Sequence, residues 1–195
     1  MSIVQTDVPM TSAALDRALE ALAAAYPAVQ TELLARTSFG RPIRAVTMGR
    51  GERRVLYSAA HHANEWLTAT VLLKFLEDYA QALEMDGTIG GVRARELYET
   101  ATISMVPMVD PDGVDLVTGA VTEAEREQAQ ALAAFYPNIP FPDGWKANLN
   151  GVDLNLQYPA GWLTAREIKF SQGYTRPGPR DFVGRFPLSQ PEVQA

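Results

Sequence analysis

The order of periodic segments predicts an α/β domain in which helices cover a sheet. A long run with apolar residues at helical spacing, residues 66–83, lies between two short apolar runs of strand length, 54–60 and 102–107. An earlier helical run precedes two more strand-like segments, 29–36 and 43–48. Helices alternating with strands indicate layers of the two. At 195 residues the chain suits one domain, long enough to bury roughly 70% of its unfolded surface.

Each element has a local reason. Thr11 or Ser12 can cap a helix whose apolar positions Leu15, Leu19, Leu22 and Ala23 end before Tyr26-Pro27. The three strands at 29–36, 43–48 and 54–60 are separated by Ser38-Phe39-Gly40-Arg41-Pro42 and by Gly49-Arg50-Gly51. Turns this short lead us to expect antiparallel neighbours. In the long helix, Leu67, Val71, Leu72, Phe75, Leu76, Tyr79 and Leu83 form one broad apolar face. Asp86-Gly87 and Gly90-Gly91 interrupt it, a second helix is expected over 92–100, and Thr102-Ile103-Ser104-Met105-Val106-Pro107 reads as a buried strand.

Asp110-Pro111-Asp112-Gly113 has turn chemistry, proline presetting one dihedral and glycine accepting positive φ, and it reads as structural. A polar helix is expected over 122–135. Residues 136–190 are rich in Pro, Gly and Asn with little periodicity, which suits a functional surface or a missing partner. The run 187–195 reads as the start of a helix, with Ser189 as cap and Pro191 in the first turn. The expectation is that residues 1–195 are the N-terminal portion of a single longer domain.

Charge and composition exclude several functions. With 17 basic and 23 acidic side chains the net charge is −6, and nothing concentrates positive charge for a nucleic acid. The absence of cysteine removes disulfides, thiolate metal sites and a cysteine nucleophile, so a metal would be held by nitrogen and oxygen. No stretch approaches the roughly 18 apolar residues of a membrane span. No basic patch followed by an apolar segment opens the chain, so a cytoplasmic location is the default expectation.

The chemistry concentrates in His61-His62-Ala63-Asn64-Glu65-Trp66, which holds both histidines of the protein. A His and a Glu three positions on, where a strand gives way to a helix, place two metal-competent side chains on one side of a turn. Adjacent strand residues face opposite ways, so His61 and His62 do not serve the same ion. A glutamate at a helix start is equally explained by the helix dipole, and on composition the metal and helix-entry readings stay open.

Ala59-Ala60-His61-His62-Ala63-Asn64-Glu65-Trp66-Leu67-Thr68 resembles the zinc-binding segment of the zinc carboxypeptidase family. Ser38-Phe39-Gly40-Arg41-Pro42-Ile43, Val109-Asp110-Pro111-Asp112-Gly113 and Gly151-Val152-Asp153-Leu154-Asn155 resemble other family segments, in the family's order. With Trp145-Lys146-Ala147-Asn148, the wording is most similar to bacterial gamma-D-glutamyl-meso-diaminopimelate peptidases, which act on cell-wall peptides.

The resemblance implies a mixed, twisted sheet flanked by helices and truncated at its C-terminal side, with an open edge that invites self-association. It implies Zn2+ as cofactor, His62 and Glu65 as metal ligands, and Asp153 as the carboxylate that orients His62. Asn155 would bind a substrate carboxylate, and Lys146 stands where the family often carries an oxyanion-stabilising arginine. A solvated loop lysine is the alternative for Lys146. Asp110 replaces the family's asparagine, Asn150 stands where a basic residue often precedes the Gly-Val-Asp stretch, and Leu156 replaces the arginine that pairs with a C-terminal carboxylate.

The family's third ligand, a histidine, its substrate-clamping tyrosine and its glutamate general base all fall beyond residue 195. A weak, incomplete zinc site is therefore expected, in a metallopeptidase portion that binds a peptide such as a muropeptide without turning it over alone. The alternative is a non-catalytic peptide-binding module derived from a zinc carboxypeptidase.

Overall fold

The computed structural model describes residues 2–195. Helix α1 (Ser12–Ala25) begins where the Thr11 hydroxyl accepts a hydrogen bond from the Ala14 N–H. It is followed by strands β1 (Gln30–Arg36), β2 (Pro42–Gly49) and β3 (Arg53–Ser58). A 3-10 turn at Ala63–Glu65 leads into α2 (Trp66–Glu84). A two-residue hairpin, β4 (Thr88–Ile89) with β5 (Val92–Arg93), precedes α3 (Ala94–Thr100) and β6 (Ala101–Val106). Then come α4 (Pro111–Thr118), α5 (Glu123–Ala133), α6 (Trp162–Ser171) and α7 (Pro191–Gln194).

The main sheet has the order β1-β2-β6-β3 and is mixed. As expected, β1 and β2 are antiparallel neighbours. The second turn behaves differently, because β6 lies between β2 and β3, antiparallel to the first and parallel to the second. The chain between Gly49 and Arg53 therefore crosses the start of β6. There Gly51 donates to the Ala101 carbonyl at 3.3 Å and its own carbonyl accepts from the Thr102 hydroxyl at 2.7 Å. A Cβ on Gly51 or Gly49 would run into the backbone of residues 100–101, so glycine is required by close approach.

One core joins Leu15, Leu19 and Leu22 of α1, Val46 and Met48 of β2, Leu73, Leu76 and Tyr79 of α2, and Ile103 and Met105 of β6. The long helix is not apolar on one face only. Its buried positions run through Ala69, Leu73, Leu76, Ala80 and Leu83, whereas Leu67 and Val71 point outward. Together with Tyr57, Leu72 and Phe75, Val71 lines an open groove of about 450 Å³ beside the edge strand β3. A smaller cluster around Trp145, Ala147, Leu149, Leu116 and Ala129 supports the irregular 136–160 region from α4 and α5.

Three further expectations change. Asp110-Pro111-Asp112-Gly113 opens α4, with Asp110 as its cap accepting from the Gly113 N–H at 2.9 Å and Pro111 in the first turn. Cap and turn share the same side-chain chemistry, so sequence alone does not separate them. Gly113 is helical, and a Cβ there would crowd Ala63 and the Ala147 carbonyl. Helix α6 arises inside the stretch expected to be irregular; it buries only Trp162 and so shows no apolar stripe. At α7 the cap is Gln190, because the Ser189 hydroxyl instead donates to Gln157 at 2.7 Å.

Candidate metal centre

The end of β3 is fixed by its neighbour. Ala59 donates to the Val106 carbonyl, and the Ala59 and Ala60 carbonyls accept from Val109 and Asp110 at 3.0 and 2.9 Å. Ala60 is held at φ 44, a left-handed conformation that costs on the order of 1 kcal/mol or more for a residue with a Cβ. Its N–H is satisfied by the Thr68 hydroxyl at 2.8 Å, which in turn donates to the Glu65 carbonyl at 2.7 Å. The Ala63 N–H donates to the Lys146 carbonyl at 3.1 Å. These bonds fix the bend between strand and helix from both sides.

Within that bend the two histidines diverge. His62 Nδ1 lies 2.8 Å from Glu65 Oε1, and the opposite ring nitrogen, Nε2, lies 3.3 Å from Asp153 Oδ1. His61 Nε2 lies 2.9 Å from the Tyr158 hydroxyl. The two rings meet different partners, and both residues follow the strand and do not lie in it, since β3 ends at Ser58.

Asp153 is buried, and its carboxylate also accepts from the Asp181 N–H at 3.2 Å and lies 3.7 Å from Lys146 Nζ. The contact of Asp153 Oδ1 with His62 Nε2 is close but not aligned as a hydrogen bond, and both atoms are buried with no other partner. The Asp153 carboxylate raises the His62 imidazole above its ordinary range, against the effect of burial and with help from Glu65. Burial would by itself raise Asp153; the neighbouring His62, Lys146 and the Asp181 N–H outweigh it and hold the carboxyl below its usual range. His61 is lowered by burial and by the neighbouring His62.

Of the five residues singled out from the sequence, the structure brings His62, Glu65, Asp153 and Lys146 into one cluster. Asn155 is exposed on the 3-10 turn Leu154–Leu156 that follows Asp153. Lys146 faces Asp153 instead of extending freely into solvent. Sequence reasoning missed Tyr158, because its partner His61 is 97 residues away. It also missed Asp181, whose backbone anchors Asp153 and whose carboxylate binds Lys169 at 2.7 Å and Arg180 at 2.9 Å.

The donor set fits a divalent zinc-like ion in part. A ring nitrogen and a carboxylate oxygen converge at one point, half open to solvent through Glu65, with a buried carboxylate behind the imidazole. Among the described residues, no group of three His, Asp or Glu side chains is arranged to hold a metal ion.

Residues 15–195 match the family described as Zinc carboxypeptidase. The chain belongs to the zinc carboxypeptidase family. It is 41% identical over 177 residues to gamma-D-glutamyl-L-diamino acid endopeptidase 1 of Lysinibacillus sphaericus, covering 91% of this chain and 43% of that protein. It is 38% identical over 184 residues to the uncharacterized protein YqgT of Bacillus subtilis, covering 92% of this chain and 47% of that protein. The chain thus spans somewhat under half the length of the curated relatives it matches. The mixed α/β fold is that of solved zinc carboxypeptidases. The thrombin-activatable fibrinolysis inhibitor superposes with a TM-score of 0.71 at 16% identity, over 100% of this chain and 45% of that one. Carboxypeptidase A of Helicoverpa armigera gives 0.66 at 20% identity, over 97% and 42%.

Proposed function

We propose that this chain forms the metal-bearing half of a zinc metallopeptidase acting on gamma-D-glutamyl-diamino acid amide bonds of cell-wall peptides, and that these 195 residues alone do not turn over. The observation that carries the reading is the two-sided environment of His62, with Nδ1 beside the Glu65 carboxylate and Nε2 against the buried Asp153. The named endopeptidase relative supports the substrate class.

In this reading His62 Nδ1 and Glu65 hold the ion. Asp153, 3.3 Å from Nε2, would favour the imidazole proton on that nitrogen, which would leave Nδ1 free to serve as the ligand. Zinc bound there would polarise the scissile carbonyl and lower the pKa of a bound water. Asn155, exposed beside the site, would receive a substrate carboxylate. Leu156 offers no charge to a peptide C-terminus, in keeping with cleavage inside a stem peptide. With only two donors, affinity for zinc is far below that of a complete site, and no side chain of the cluster is placed as a separate proton acceptor for water.

Equilibrium dialysis against zinc tests the ligand assignment, with binding lost in His62→Ala and retained in His61→Ala. Equal behaviour of the two variants refutes it. A gamma-D-glutamyl-diaminopimelate peptide should be left intact by the 195-residue chain, and appreciable turnover would overturn the second half of the proposal.

A further inference from the structure

Next to the loop that carries Lys146 and Asp153 lies a buried acidic network that the proposed chemistry does not use. It comprises Asp110, Asp112 and Asp115 of the α4 start, Glu125 of α5 and Glu192 of α7. Among the described residues, the one cation bonded into it is Arg41, which binds Asp112, Asp115 and Glu125 at 2.7–3.0 Å. Thr37 donates to Asp112, and the Ser12 N–H and hydroxyl donate to Asp115. Asp110 and Glu192 receive nothing from Arg41.

Asp110 is 0% exposed and Glu192 4%. Among the described residues, Oδ2 of Asp110, Oδ2 of Asp112 and Oε2 of Glu192 are each buried without a hydrogen-bond partner. Asn148 cannot relieve them. Its amide nitrogen already donates to Gln190 at 2.9 Å and to Glu192 Oε1 at 3.1 Å, and its oxygen accepts from Asn150 and Val152. Asp110 and Glu192, buried and without a bond to that guanidinium, cannot both be ionised, since a buried unpaired charge costs several kcal/mol.

We propose that Asp110 and Glu192 together retain a proton at neutral pH, and that this protonated acid pair positions the 146–153 loop by holding Asn148 against α7. The charged groups around the pair act in the same direction. Burial above all disfavours ionisation of Asp110, and Glu192, Asp112 and Asp153 add to it, with the Gly113 N–H opposing. Burial pushes Glu192 up to about 7, with Asp112 adding and Asn148 opposing.

The consequence has a definite sign. A carboxyl whose folded pKa is raised binds a proton more tightly when folded, so its favourable contribution is complete below the unfolded value and declines as pH rises through the folded one. Thermal stability of the chain should therefore fall between about pH 5 and about pH 8. Asp110→Asn, which donates without a proton to lose, should flatten that limb and melt higher than the parent at the alkaline end.

Two readouts distinguish this from simple packing. The infrared carbonyl band of a protonated carboxyl group should be present at neutral pH and diminish in Asp110→Asn and in Glu192→Gln. In a Trp66→Phe, Trp162→Phe background, emission from the buried Trp145 should shift with a midpoint near 7, and that transition should vanish on adding Glu192→Gln. Absence of the band in the parent chain overturns the proposal even if the tryptophan background fails to fold. So does an unchanged stability slope in Asp110→Asn. Neither readout involves zinc or a peptide, so failure here leaves the functional reading standing, and the reverse also holds.

Discussion

Replacing Arg41 by methionine keeps an apolar stem and removes the guanidinium that joins the β1–β2 turn to α4 and α5. The parent side chain is 14% exposed, and its partners Asp112, Asp115 and Glu125 are 1%, 5% and 15% exposed. Breaking one side of a buried ion pair costs ~3–5 kcal/mol, chiefly because the orphaned carboxylates remain buried. Glu125 can turn to water, so the lower end applies, about 3 kcal/mol at neutral pH. For a chain of this size that corresponds to a fall of roughly 6–12 °C in Tm, at ~2–4 °C per kcal/mol. The loss should shrink towards pH 5, because burial already raises Asp112 and without Arg41 it takes up a proton more readily. Arg41→Lys retains the charge but not the fork, and should fall between the two. Urea unfolding and calorimetry at both pH values measure this. A cost below about 1 kcal/mol at neutral pH, or a cost independent of pH, would refute the account of the network as a buried, charge-limited one.

Leu73→Ala removes a fully buried side chain where α2 meets the sheet, and should cost ~2–5 kcal/mol by urea unfolding with the m-value unchanged; a loss under about 1 kcal/mol would contradict the packing described. The hydrogen bond from Arg41 depresses Glu125 to about 2, with the Thr122 cap contributing against burial. Its stabilisation is present above the ordinary carboxylate pKa and lost as pH falls through the folded one. Glu125→Gln, which keeps a capping side chain, should flatten the acid limb of a Tm-against-pH curve, and an unaltered limb would exclude that role.

The elements legible in the sequence are those with local causes. The cap at Thr11, the apolar spacing of α1 and α2, and the runs that became β1, β2, β3 and β6 all depend on residues a few positions apart. What stayed hidden depends on distant partners. Nothing near Gly51 says that β6 will be inserted beside it, and no spacing rule joins His61 to Tyr158 or Asn148 to Glu192. At the site, the His62–Glu65 pairing was legible because its members lie three positions apart. Asp153 came only through family resemblance, and Asp181, which anchors it, carried no signal. The buried state of Asp110 was invisible because Asp-Pro-Asp-Gly reads equally as an exposed turn.

The insertion of β6 also dictates an order of events as the chain is synthesised. Gly49 pairs with Thr102 and Arg53 with Ala101, so about fifty residues separate these partners. Among the described residues, strand β3 has no other partner in the main sheet. Until β6 emerges, the nascent chain carries β3 with neither edge satisfied, alongside a helix whose apolar residues face two ways. The sheet therefore closes late and through non-local contacts, the circumstance in which loop-closure entropy slows folding and exposed strands meet other chains.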